Sequence, residues 1–322
     1  MKKTSRPNIR PELRMAAARM RILLPIHSVW KTKIAKAACA LMRGTRVRGI
    51  RNEQIYVTRG DGSRLRLCVY APLEPRENVI GLLWIHGGGY AIGAPEMDIA
   101  YIRRFIDVSG CVVVSPDYTL SLDAPYPAAL DDCYAALMWL RANGERYGMR
   151  SDQIFVGGDS AGGGLAAAVS LYARDRGEVC IAFQMPLYPM LDDRATPSNT
   201  DNHAPIWDSK SNEMCWKLYL GALYGTDAVP AYAAPARATE NKGLPPTCTF
   251  VGSIEPFRDE VVTYCENLRN AGVDVHFHEF EDCYHGFDVI GGKASVSREA
   301  TAFLMDTFGY AVQHYFAAQS EV

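Results

Sequence analysis

Ser160 stands in the run Gly158-Asp159-Ser160-Ala161-Gly162, a match to G-x-S-x-G. Alone the pattern is weak, since a chain of this length meets it by chance about one time in ten. Its surroundings raise its value. Residues 153–156 ahead of it read as a buried strand, and residues 165–169 after it as a helix. A serine on so sharp a strand-to-helix turn projects at a helix N-terminus, where partial positive charge favours a developing anion. Glycine at 158 and 162 suits a turn too tight for larger residues. Gly163 and Gly164 each cost about 1 kcal/mol against Ala inside a helix, so they predict close backbone packing. A phosphate-cradling glycine loop would need a following Lys, and none is there.

His86-Gly87-Gly88-Gly89 ends another apolar run. Consecutive glycines at a strand's end leave backbone N–H groups free to point at a ligand. Donors of that kind hold an oxygen as it becomes charged. Gly88 and Gly89 are the expected donors, joined by Ala161, the residue after the serine. His86 is expected to brace the glycine loop through hydrogen bonds to nearby backbone rather than to act as a base.

A serine nucleophile needs a base, and the base needs an orienting carboxylate. His285, in Cys283-Tyr284-His285-Gly286-Phe287, follows the last strand-like run. Residues 247–251 form a strand-like run that leads into Gly252-Ser253-Ile254-Glu255-Pro256. Glu255 therefore falls in a strand-end loop, which makes it the first choice for the orienting acid. Asp259, one turn later, is its rival. Asp282 lies too close to His285 in sequence to be the first choice.

Taken together, HGGG, GDSAGG, a strand-end acid followed by Pro, and HGF resemble the bacterial hormone-sensitive-lipase-like family of α/β-hydrolases. Asp117-Tyr118-Thr119-Leu120-Ser121 and 126–132 (YPAALDD) are similar to its acetyl-esterase branch. The motifs span residues 80–290 in the family's order. The resemblance implies an eight-stranded catalytic domain, a helical cap and no cofactor, and family analogy suggests a homodimer. It implies hydrolysis of short-chain acyl esters, with Ser160 as nucleophile, His285 as base and then acid, and Gly88, Gly89 and Ala161 around the oxyanion. His86, Gly87 and Asp159 support these motifs. Two positions differ from the family: Glu255 stands where Asp is usual, and residues 118–123 read YTLSLD where YRLAPE is common.

These residues need a scaffold. Residues 54–58, 64–70, 79–85, 111–116, 153–156, 181–187, 247–251 and 273–280 read as strands, and Asp61-Gly62 marks a hairpin. Helical stretches at 99–109, 128–147, 161–176, 256–271 and 295–316 alternate with the later strands. That alternation predicts a mostly parallel sheet covered on both faces. Residues 1–45 hold two helices (12–20 and 30–42) broken near Pro25. Residues 190–235, rich in Pro and with a helix at 211–223, are too long for a connection. The expected division is N-terminal cap helices over 1–45, a catalytic domain over 46–189 and 236–322, and a cap insertion over 190–235.

The chain has 322 residues, with 34 Lys+Arg against 36 Asp+Glu, 48% hydrophobic residues and nine cysteines. The near-neutral balance argues against a nucleic-acid partner, which needs a basic face. The odd cysteine count without a C-x-x-C pair fits reduced thiols in a cytoplasmic protein. Arginines at 6, 10, 14, 19 and 21 interrupt any secretory apolar core, so no leader is expected. No membrane partner is expected either: no run is long enough to span, and the N-terminal charge is spread over short helices. His276 and His278 share a strand face, near Glu279 and Asp282, but lack a third ligand at zinc spacing. Tyr188, Trp207, Trp216, Tyr219 and Tyr224 are candidates for pocket lining or for cap packing. Arg103 and Arg104 read as a solvated helix face. The partner implied is a small-molecule ester. Two other readings share the residues: an amidase or peptidase on the same triad, and a ligand- or partner-binding protein reusing the fold.

Overall fold

The computed structural model describes residues 8–23 and 27–319. The break expected near Pro25 lies outside the described residues. Eight strands form one sheet in the order β1-β2-β4-β3-β5-β6-β7-β8. They are β1 (Ile50–Thr58), β2 (Arg64–Pro72), β3 (Val79–Ile85), β4 (Val112–Pro116), β5 (Met149–Asp159), β6 (Phe183–Leu187), β7 (Thr247–Gly252) and β8 (Val275–Phe280). β1 and β2 form the hairpin announced by Asp61-Gly62, and β2 also runs antiparallel to β4. Strands β3 to β8 are parallel to their neighbours.

Burial explains the apolar strands. Every residue of β3, β4, β6 and β7 is buried, because helices cover both faces. These are α3 (Ile99–Ser109), α4 (Ala128–Asn143), α5 (Ala161–Arg176), α7 (Arg258–Asn270) and α9 (Ser295–His314); α1 (Arg14–Leu23), α2 (Val29–Ala40), α6 (Ser209–Leu220) and the short α8 (Phe287–Ile290) complete the set. β3 shows the two faces. A Cβ on Gly81 would press on Leu140 of α4. Trp84, on the alternate face, packs on Tyr101 and Phe105 of α3 with ring centroids 5.1 and 4.9 Å away. α3 in turn packs against α9, and α4 against α5.

Several boundaries differ from expectation. α4 stops at Asn143 and a 3-10 turn covers Gly144–Tyr147, where glycine weakens the helix. β5 begins at Met149, through polar residues that carry no strand pattern. β6 starts at Phe183, two residues late. α6 and α7 begin at Ser209 and Arg258. Arg103 and Arg104 are half-buried rather than fully solvated.

The N-terminal segment clasps the far end of the chain. Arg10 N donates to the Asp282 carbonyl at 3.0 Å. Asn8 Nδ2 donates to Asp282 Oδ2 at 2.7 Å. Glu12 accepts from the Ser295 and Val296 amides at 2.8 and 3.2 Å, so it caps the start of α9. Leu13 is fully buried.

Candidate active site

β5 runs straight into Ser160, and α5 begins at the next residue. Ser160 has φ +55° and ψ −120°, a conformation that a side chain rarely takes and that the surroundings must hold. They do so from both sides. Ser160 N donates to the Leu187 carbonyl at 2.9 Å, and its carbonyl accepts from Gly164 and Met190 N, both at 3.0 Å. A Cβ at 162 would collide with the Ile85 and His86 carbonyls. That is why G-x-S-x-G demands glycine there.

His285 sits in the loop between β8 and α8. Its Nε2 lies 2.8 Å from Ser160 Oγ. Its Nδ1 hydrogen bonds to Glu255 Oε2. Glu255 is fully buried in the turn after β7, and its Oε1 accepts from Gly252 N at 2.7 Å. A carboxylate can only accept here, so Nδ1 carries the hydrogen and Nε2 presents its lone pair to the serine hydroxyl. Tyr188 and Phe257 each stand edge-on to the imidazole with centroids 5.0 Å away. Asp259 and Asp282 are engaged elsewhere. Asp259 Oδ2 accepts from Ser198 N at 2.8 Å, and Asp282 meets Asn8.

Gly88 and Gly89 follow β3 with φ +118° and +60° and line the same cavity as Ser160 and His285. A Cβ on Gly88 would collide with the Ile92 carbonyl, and one on Gly89 with the Trp207 ring and, at 2.8 Å, Cys215 Sγ. Ala161 opens α5, where first-turn N–H groups have no intrahelical acceptor. His86 braces this loop. Its Nδ1 hydrogen bonds to the Gly87 carbonyl at 2.8 Å, and its ring stacks on Tyr118 with centroids 4.3 Å apart. Burial holds its pKa below the ordinary imidazole value, so the ring stays neutral.

Behind the serine lies a carboxyl cluster that the sequence reading missed. Asp159 hydrogen bonds to Asp98, and Trp84 Nε1 donates to Asp98 Oδ2 at 2.9 Å. Tyr101 Oη bonds to Tyr188 Oη at 2.7 Å and also to Asp288. Burial pushes Asp98 well above the ordinary carboxyl range, raises Asp159, and takes Asp288 up to about 6. A proton shared between Asp98 and Asp159 follows from two buried carboxyls in contact.

The cavity measures about 220 Å³, and Ile92, Met97, Ile206, Trp207 and Ile290 supply apolar wall. The aromatic candidates divide. Tyr188 and Trp207 line the cavity, whereas Trp216 and Tyr219 pack on Tyr90 at 5.6 and 3.9 Å, and Tyr224 lies beneath Lys217. His276 Nε2 bonds to Tyr315 Oη at 2.9 Å, and His278 packs on Phe280 at 4.3 Å. Among the described residues no group of three or more His, Cys, Asp or Glu could hold a metal.

Such an arrangement can activate a hydroxyl against a carbonyl and hold the resulting oxyanion. Fold and site together define an α/β-hydrolase. Residues 82–289 match the family model described as alpha/beta hydrolase fold. The chain belongs to that family, among its hormone-sensitive-lipase-like members. It is 37% identical over 222 residues to esterase LipI of Mycobacterium tuberculosis, covering 68% of this chain and 69% of LipI. It is 35% identical to carboxylesterase NlhH of the same species, covering 72% and 74%. A solved structure titled bacterial heroin esterase superposes with a TM-score of 0.85 at 34% identity, covering 95% of this chain and 98% of that one. The chain is a carboxylic ester hydrolase.

Proposed function

We propose that the enzyme cleaves short-chain acyl esters of the acetyl type through an acyl-enzyme on Ser160. The observation that carries this is His285, hydrogen bonded on one side to Ser160 and on the other to buried Glu255. Ser160 Oγ attacks the ester carbonyl as His285 Nε2 takes its proton. Gly88, Gly89 and Ala161 amides hold the oxyanion. The imidazolium, stabilised by Glu255, gives its proton to the leaving alcohol. His285 then draws a proton from water as it attacks the acyl-enzyme, and returns that proton to Ser160 Oγ as the acyl–oxygen bond breaks, which releases the carboxylic acid and restores the serine hydroxyl. Asp159 supports the turn from below.

Short acyl groups are favoured by cavity size. About 220 Å³ falls below the roughly 300–1,000 Å³ of pockets for drug-sized ligands. In this proposal α1, α2 and residues 190–235 form a cap over the cavity, with the sheet domain beneath. The nine cysteines are all free, seven of them buried, which supports work in a reducing cytoplasm.

A panel of p-nitrophenyl esters from acetyl to decanoyl, with the acetyl anilide beside it, tests the reading. The expected kcat/KM is greatest at the short end and far lower for the anilide. A profile rising toward decanoyl would overturn the acyl preference. Anilide turnover matching the ester would favour an amidase.

A further inference from the structure

Helix α2 turns an apolar stripe away from the protein. Trp30, Ile34, Ala37 and Leu41 recur at i, i+4, i+7 and i+11, which at about 100° per residue places them in one narrow sector. Trp30 is 61% exposed, Ile34 58% and Leu41, the cap residue, 86%. The opposite sector holds the helix down. Thr32 is fully buried, with its hydroxyl donating to the Ser28 carbonyl at 3.0 Å and meeting Met214 Sδ of α6 at 4.0 Å. Cys39, on the same side, meets the backbone amide of Gly93. Among the described residues the fold thus accounts for the inner side of α2 and leaves the outer one exposed. A cluster of large apolar side chains in water marks a contact surface.

Charge identifies the partner. Residues 13–52 contain ten Lys or Arg and no Asp or Glu, leaving 24 basic against 36 acidic residues elsewhere. Lys31 and Lys33 fall on either side of the stripe, and exposed Arg46 and Arg48 follow it, Arg43 between them being paired with Asp117 at 3.0 Å. A second copy seated symmetrically on α2 would oppose basic face to basic face. An anionic lipid surface accepts both features, its headgroups meeting the cations and its acyl boundary the stripe.

We propose that α2 is an interfacial helix that seats the enzyme on an anionic lipid surface. No described helix is long and apolar enough to cross a bilayer, so the contact is lateral. The expectation of no membrane partner treated the N-terminal charge as scattered over short helices. The fold shows which side of α2 is left outward. The inner side of α2 abuts Gly93, four residues past Gly89, so the seated helix holds the glycine loop near an interface where apolar esters concentrate. That last step rests on the proposed esterase reading; the seating does not.

Flotation of the full chain with vesicles tests it. Binding to phosphatidylglycerol vesicles is expected, at least about tenfold weaker binding to phosphatidylcholine, and loss at high salt. Trp30→Ser/Ile34→Ser/Leu41→Ser should lower phosphatidylglycerol affinity at least about tenfold. It should leave p-nitrophenyl acetate turnover in vesicle-free buffer unchanged. Lys31→Glu/Lys33→Glu should weaken binding through charge alone. Failure to float with phosphatidylglycerol, or equal binding by the triple variant, would overturn the proposal. So would a sedimenting dimer that the triple variant converts to monomer, which would assign the stripe to a second copy. Vesicle binding without ester turnover would instead sink the esterase reading and leave the seating intact.

Discussion

His285 Nε2 and Ser160 Oγ lie 2.8 Å apart although 125 residues separate them in the chain. The contact is made by two parallel-strand ends. β5 delivers the serine, and β8, two strands beyond β6, delivers the loop bearing the histidine. Ligands gather at the carboxyl ends of such strands, so the hydroxyl, imidazole and cavity coincide there.

Ser160→Ala removes the oxygen proposed to attack the ester and no packing atom of consequence. Turnover of p-nitrophenyl acetate should fall by about a millionfold, with an unchanged melting temperature. A fluorophosphonate probe should label the parent and not the variant. Parent-like turnover by purified Ser160→Ala would refute the assignment.

Glu255→Gln keeps the size of the side chain but discards the charge proposed to stabilise the imidazolium. The expected loss in kcat is about ten-thousandfold, by analogy with triads that lose their carboxylate. Glu255→Asp, one methylene shorter, should retain more activity than Glu255→Gln. The reverse ranking in steady-state kinetics would assign the orienting role to another acid.

Gly89→Ala tests the proposed amide donors. The left-handed φ of +60° and the Trp207 ring both oppose a Cβ, so the loop must shift and its N–H must turn. A drop in kcat of about a hundred- to a thousandfold is expected, with KM less affected. Full kcat in a folded Gly89→Ala protein would remove Gly89 from the oxyanion hole.

Burial pushes the Asp288 carboxyl from the ordinary 3.8 up to about 6. Between those values the native state holds a proton that the unfolded chain has released. Stability therefore falls as pH rises through this window, and the cost is complete above it, on the order of 3 kcal/mol. Asp288→Asn preserves an acceptor for Tyr101 and carries no charge. Denaturant titrations from about pH 4 to about pH 7 should show the variant gaining on the parent up to about pH 6, then running parallel. A gap that does not vary with pH would show that burial of the charge is not the cause.

Motif-borne features were legible because their causes are local. The elbow glycines, the HGGG loop and the strand-end position of Glu255 each answer to neighbours a few residues away. The hairpin at Asp61-Gly62 did so too. The carboxyl cluster was not legible. Asp98, Asp159 and Asp288 acquire meaning only when the start of α3, the end of β5 and α8 converge, and no periodicity announces that. α8 spans only Phe287–Ile290, too short for a helical pattern. The polar start of β5 was hidden because Met149 pairs with Val79 at a register shift rather than by alternation. The outward stripe of α2 was written in the spacing, but which side faces the body depends on α6 and Gly93.

The clasp made by Asn8, Arg10, Glu12 and Leu13 ties the opening of the polypeptide to the loop and helix that flank His285. A protease that nicked the chain just after Leu13 would leave the eight strands untouched. It would unhook the Asp282 loop and uncap α9, and the imidazole would lose its bearing on the serine. Truncation through residues 8–13 is thus expected to lower turnover before it unfolds the sheet.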